Sequence, residues 1–207
     1  MSEAPIDIGH VELSAQQPEE PPRPRSKVRL ILLSTLAAAA LAGTAAMGWS
    51  AWRIVSQKDA TLTPPGQIGA LRLDEGDDAR SISEYMQNAL SADVDVDKTV
   101  GAVYTDAAGQ NILFFGGTTL FWTPEADLDT AFKLISDNEG AVRDIREVPA
   151  GSLGGTVKCG VTASDDGDMP VCGWADHGSL ALAMFPGRQL SDAAPLLIQI
   201  RDATQKR

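Results

Sequence analysis

Between Leu30 and Trp52 lie 23 residues without a charged side chain, and no other feature of the chain restricts its fold so strongly. As a helix at ~1.5 Å per residue the run reaches roughly 34 Å, against about 30 Å of bilayer hydrocarbon. Leu30, Ile31, Leu32, Leu33, Leu36 and Leu41 carry most of its apolar character, in an otherwise Ala-rich stretch. Trp49 and Trp52 close it, and amphipathic rings favour the headgroup level. A buried soluble helix rarely runs this long without a polar face. Residues 30–52 are therefore expected to be a transmembrane helix, with the lipid bilayer as the first partner.

Orientation follows the flanking cations. Arg23, Arg25, Lys27 and Arg29 precede the run, and only Arg53 and Lys58 follow closely. That asymmetry places residues 1–29 in the cytoplasm and the C-terminal part outside, in a single-pass cell-membrane protein. A cleaved signal peptide fits less well. Its lead would be 29 residues long and would contain Glu3, Asp7, Glu12, Glu19 and Glu20, while the apolar run exceeds the ~7–15 residues of a signal core. An uncleaved signal-anchor is the expectation. The lead itself, with Pro21-Pro22-Arg23-Pro24-Arg25, reads as a disordered tail whose arginines set topology.

Charge separates along the same line. Residues 1–59 are balanced, with six acids and six bases, so the whole net charge of −11 falls on residues 60–207. An acidic outer part excludes nucleic acid as a partner, because phosphate binding needs clustered Lys and Arg. Solvation beside the membrane explains the acidity.

After an expected linker over residues 53–69, broken by Pro64-Pro65-Gly66, the pattern becomes globular over residues 70–207. Ile82, Tyr85, Met86, Ala89 and Leu90 fall on one helical face, with Asp77 and Asp78 in the first turn. Val100–Thr105 and Asn111–Phe115 read as a hairpin turning through Asp106-Ala107-Ala108-Gly109. Thr123-Pro124 starts a second helix with Leu128, Ala131, Phe132 and Ile135 on its inner face and Gly140 at its end. Strands follow at Val142–Val148, Thr156–Thr162, Pro170–Trp174 and Leu180–Phe185. Ser191 then caps a last helix with Ala193, Leu196, Leu197, Ile200 and Thr204 on one side. Short hairpins imply a mainly antiparallel sheet, covered by about three helices. The fold class is α+β, one domain with a single real core behind an N-terminal transmembrane helix.

Cys159 and Cys172 are the two cysteines of the chain. If Asp165 and Asp166 are the two residues of a tight turn, counting outward sets Cys159 opposite Cys172 as a non-hydrogen-bonded pair, within disulfide range. Pro170 then also occupies a site where its missing N–H costs nothing. A longer turn including Gly167 would shift that register. Outside the cell a disulfide is expected; a nucleophilic thiol lacks a nearby base and a metal lacks further soft ligands.

No catalytic constellation stands out. His177 is the one histidine beyond the cytoplasmic tail, within Asp176-His177-Gly178-Ser179, but a triad assembles from distant segments and this stretch reads as a polar turn. Asp93, Asp95 and Asp97 alternate like calcium ligands, yet an EF-hand loop started there would need Gly and Glu where the chain has Lys98 and Tyr104. Gly116-Gly117 and Gly154-Gly155 lack the Lys-Ser/Thr of a phosphate loop and are expected at strand ends with positive φ. No catalytic, metal or cofactor-binding residue, and no cofactor, is expected.

Phe115-Gly116-Gly117-Thr118, Gly151-Ser152-Leu153-Gly154-Gly155 and Val171-Cys172-Gly173-Trp174-Ala175-Asp176-His177-Gly178-Ser179 resemble a group of small, uncharacterised single-pass membrane proteins of actinomycetes. The resemblance spans roughly residues 64–204 and implies compartment and fold, with no activity to carry over. The functional expectation is a membrane-anchored extracytoplasmic binding or interaction module with an envelope protein as partner, and not an enzyme. The alternative is an envelope hydrolase using carboxylates or His177.

Overall fold

The computed structural model describes residues 27–135, 141–164 and 167–207, without the side chains of residues 27–30 and 33. Two units emerge, Met1–Ala45 and Ala46–Arg207. The elements are α1 (Lys27–Gln57), β1 (Thr61–Leu62), β2 (Gln67–Ile68), β3 (Leu71–Leu73), α2 (Asp77–Asp93), β4 (Lys98–Thr105), β5 (Asn111–Thr118), α3 (Pro124–Leu134), β6 (Arg143–Glu147), β7 (Thr156–Ser164), β8 (Gly167–Ala175), β9 (Leu180–Met184), α4 (Leu190–Thr204) and β10 (Gln205–Lys206). The protein is α+β.

The expected helix over residues 30–52 lies inside α1, which has 31 residues. Among the described residues, however, no helix is long and apolar enough to cross a membrane. Ser34, Thr35, Gly43, Thr44, Gly48 and Ser50 dilute the apolar run, and Leu30 and Leu33 fall outside the residues whose side chains are described.

Eight strands form one antiparallel sheet in the order β2-β3-β4-β5-β9-β8-β7-β6. Strand alternation sends Ala102, Tyr104, Phe114, Cys172, Trp174 and Ala183 to one face, where Ala193, Leu197 and Ile200 of α4 cover them. Phe115, Val171, Leu180 and Leu182 point the other way, against Leu90 of α2 and Leu128, Ala131 and Phe132 of α3. The sheet is thus buried on both faces, which explains why β8 and β9 are nearly continuous apolar runs.

The β4–β5 turn forms where expected: the Asp106 carboxylate accepts the N–H groups of Ala108 and Gln110, and Gly109 takes φ 79°. Cys159 pairs with Cys172 in a ladder that runs from Thr156↔Ala175 to Ser164↔Gly167. Their Cα atoms are 4.0 Å apart and the disulfide is formed. The turn residues Asp165 and Asp166 lie outside the described residues, as does Gly140.

Three local expectations need correction. The inner face of α2 is Ala79, Ser83, Met86, Gln87, Ala89 and Leu90; Met86, Ala89 and Leu90 face inward as expected, whereas Ile82 is 41% and Tyr85 70% exposed. The cause is Gly101 on β4: a Cβ there would stand 2.4 Å from Ser83 Oγ, so the helix seats on the strand through its small polar residue. Gly116 and Gly117 are inside β5, not at a positive-φ strand end; added Cβ atoms would meet Ala181 Cβ at 2.4 Å and Val96 Cγ1 at 2.6 Å. Gly154 and Gly155 do take positive φ. Finally, Gln189 rather than Ser191 caps α4, and Thr123 precedes α3 without a side-chain capping bond.

Candidate functional site

Residues 53–69, expected from composition as a linker, are folded. α1 continues to Gln57, β1 pairs with β10, and Leu62 and Ile68 join the α4-side core. Apolar residues at these positions find a ready apolar face, which outweighs the break that Pro64-Pro65-Gly66 suggests.

The end of α1 is keyed to the β8–β9 turn. Gln57 is 5% exposed, and its Oε1 accepts the backbone N–H of His177 at 3.2 Å. Gly178 sits so close that a Cβ would come within 1.9 Å of the Gln57 carbonyl oxygen. His177 in turn holds the segment that leads into α3. Its carbonyl accepts the Phe121 N–H at 3.2 Å, and its Nδ1 contacts the Phe121 carbonyl at 2.8 Å. A carbonyl only accepts, so Nδ1 carries the proton there. A cavity of about 180 Å³ lies beside this junction, lined among others by Arg53, Gln57, Glu125 and His177.

Behind it is a buried charge cluster centred on Asp176. Oδ1 accepts the N–H groups of Gly178 and Ser179, each at 2.9 Å, and the Ser179 hydroxyl at 3.2 Å. Oδ2 accepts Arg201 Nη2 at 2.9 Å, Gln205 Nε2 at 2.7 Å and Arg207 Nη2 at 2.7 Å. The Arg201 guanidinium also donates to Gln205 Oε1 and to the carbonyls of Ala150 and Gly154, and stands 5.4 Å from the Trp174 ring centre. Burial works against the Asp176 charge. The Gln205 amide, the Gly178 N–H and Arg201 outweigh it, and the carboxyl is held below the ordinary aspartate range. Burial likewise lowers Arg201, partly offset by Asp176.

These contacts decide the chemistry of Asp176-His177-Gly178-Ser179. Ser179 Oγ bonds to Asp176 and to Trp174 Nε1, while the His177 Nδ1 is engaged with Phe121. No Ser–His–Asp relay runs through the segment, and Asp176, with six donors on two oxygens, has no lone pair directed at a substrate. The cluster is a structural hub. Sequence reading missed Gln57, Arg201, Gln205 and Arg207 as its members. One signal was available: Arg201 follows Ile200 within the apolar face of α4, where a charge must be paired.

On the other side of β1 opens a cleft of about 640 Å³, lined by residues 58–63, 97–100 and 118–120. Its rim carries Lys58, Asp59, Asp97 and Lys98, and five threonines, Thr61, Thr63, Thr99, Thr118 and Thr119, are among the lining residues. Lys58 is paired with Asp59 at 2.7 Å. Asp93, Asp95 and Asp97 do not converge; among the described residues no group of three or more His, Cys, Asp or Glu side chains is placed to hold a metal ion. No family model, no curated protein and no solved structure matches the chain.

Proposed function

We propose that this chain is a single-pass, membrane-anchored extracytoplasmic module that binds a partner in the cell envelope. Residues 30–52 are its anchor, residues 1–29 its cytoplasmic tail and the disulfide-pinned α+β domain its outer part. The observation that carries the reading is α1 itself: Ile31, Leu36, Leu41 and Met47 are 60–73% exposed on an unbroken helix. At ~1.5 Å per residue the helix extends roughly 46 Å, enough to span hydrocarbon and continue to the domain. Its hydroxyls suit that setting. Ser34, Thr35 and Thr44 donate to carbonyls of their own helix at 2.8–3.1 Å, as polar groups in lipid must.

The Cys159–Cys172 disulfide supports an oxidising compartment. The resemblance to single-pass actinomycete membrane proteins belongs to the same proposal. Binding by side chains, not by strand addition, fits the sheet edges. β6 is exposed and charged, its register breaks between Arg143 and Arg146, and Asp144 takes φ 55°.

The test combines extraction and labelling. Tyr85→Cys places a thiol at a 70% exposed site, unlike the two buried native cysteines. The full chain should resist alkaline carbonate extraction, and a membrane-impermeant maleimide should label Cys-substituted position 85 in intact cells. Release by carbonate would remove the anchor; labelling only after lysis would invert the topology.

A further inference from the structure

We propose that Leu120 and Trp122 form a lipid-contacting lip that dips into the interfacial layer of the bilayer beside the exit of α1. The inference rests on the reading of α1 as the anchor and deepens it by assigning a second membrane contact. Trp122 is 70% and Leu120 37% exposed, although Phe121 between them is buried. Residues 118–123 carry no charge. Apolar side chains this exposed on a short uncharged loop want a partner.

Their position names the partner. Phe121 is bonded through both backbone groups to His177, whose N–H is held by Gln57 in the last turn of α1. Pro124 shares a cavity with Arg53 and Gln57 of the helix. Trp122 is two residues from Pro124, so at ~3.5 Å per residue its backbone lies within roughly 7 Å of the residue that lines this cavity with the helix. Trp52 stands one residue before Arg53 and rings with Trp49 at 5.1 Å, the aromatic pair expected at the headgroup level. The loop is thereby fixed beside the level at which the helix would leave the membrane.

The surrounding charge fits zwitterionic headgroups. Leu120 lines the cleft whose rim alternates Lys58 with Asp59 and Lys98 with Asp97, and Glu125 beyond the loop is bridged by Lys158 at 3.2 Å. The cavity that Leu120 and Trp122 both line also carries Asp95 and Asp127, an acidic flank that suits zwitterionic over anionic lipid. A tryptophan and a leucine supply the apolar contact.

The chain has four tryptophans, and Trp174 is fully buried. The full chain carrying Trp49→Phe and Trp52→Phe is reconstituted in phosphatidylcholine vesicles brominated at shallow or deep acyl positions. The difference in emission between it and the same chain with Trp122→Phe isolates Trp122. We expect Trp122 emission to fall, with a loss roughly twofold greater for shallow than for deep bromines. If Trp49 and Trp52 are quenched in a further chain that carries Trp122→Phe alone, while Trp122 is not quenched in the first, the lip is wrong and the anchor stands. If no tryptophan is quenched and the chain does not float with the vesicles, the anchor fails and the lip with it.

Discussion

Arg201 Nη2 donates to Asp176 Oδ2 at 2.9 Å, and neither side chain has any exposed surface. A buried ion pair of this kind contributes little net stability when intact, but removing one partner strands the other charge. Asp176→Asn should therefore cost about 3–5 kcal/mol of unfolding free energy. Adding Arg201→Met should restore part of the loss, so the double variant should be more stable than the sum of the singles. Urea denaturation of the four-member cycle measures this; strict additivity would mean the pair is not coupled.

The same carboxylate contributes to stability in acid. Its folded pKa is depressed, so the stability it adds is complete above the unfolded aspartate value of ~3.9 and disappears as pH falls through the lower folded value. Lys158 acts in the opposite direction. Burial disfavours its charge, but the bonds it donates to Asp129 at 2.7 Å and Glu125 at 3.2 Å raise it overall. Its contribution is complete below the unfolded lysine value of ~10.4 and is lost as pH rises through the folded one. Asp176→Asn should flatten the acid arm of a stability–pH curve by about one proton, and Lys158→Met the alkaline arm.

Burial pushes the Tyr104 phenol up to about 12, while its hydroxyl donates to the Pro65 carbonyl at 2.9 Å. With Tyr85→Phe, Tyr104 becomes the remaining tyrosine of a chain that has two. Its phenolate absorbance should then rise only near pH 12 or with alkaline unfolding, whichever comes first, and circular dichroism recorded in parallel separates the two. A step near pH 10 in the still-folded protein would contradict the burial.

Gly178→Ala introduces a methyl where 1.9 Å separates the Cβ site from the Gln57 carbonyl oxygen. Overpacking of this kind costs about 1–3 kcal/mol. The strain should be relieved by unseating the helix end, so amide exchange at Ala60, whose N–H bonds to the Gln57 carbonyl, should accelerate more than exchange at Trp174. Equal acceleration at both would place the damage in the sheet instead.

Cys159 and Cys172 close a loop of 13 residues' separation, for which the expected contribution is about 3 kcal/mol. Cys159→Ala with Cys172→Ala should lower the urea midpoint accordingly, and reductant should move the wild-type protein to the same place. Both sulfurs are fully buried, so native-state alkylation should remain slow even after reduction.

The disulfide register was legible on the condition of a two-residue turn, with Pro170 favouring the same pairing, and the ladder has Cys159 opposite Cys172. The apolar faces of α3 and α4 were legible for a similar reason, since Leu128, Phe132, Leu197 and Ile200 repeat at helical spacing. The face of α2 was legible only in part, through Met86, Ala89 and Leu90. Periodicity sees Ile82 and Tyr85, but packing is governed by the missing Cβ of Gly101 on another element. The hub and the helix junction were hidden by distance: Asp176 meets Arg201 25 residues away, and Gln57 meets His177 120 residues away. No local pattern encodes such pairs.

The two-residue ladder between β1 and β10 gives the molecule a mechanical character. On the proposed reading of α1 as an anchor, tension reaches the domain at Gln57, where it meets the bond to the His177 N–H and then Thr61 and Leu62, paired with Lys206 and Gln205. Pull there is met by few hydrogen bonds, together with the Thr63 N–H on the Thr204 carbonyl at 3.0 Å, while the eight-stranded sheet lies behind them. Under force the chain should yield at this short seam first, lengthening the tether by the slack of residues 58–66 and leaving the disulfide-bonded sheet intact.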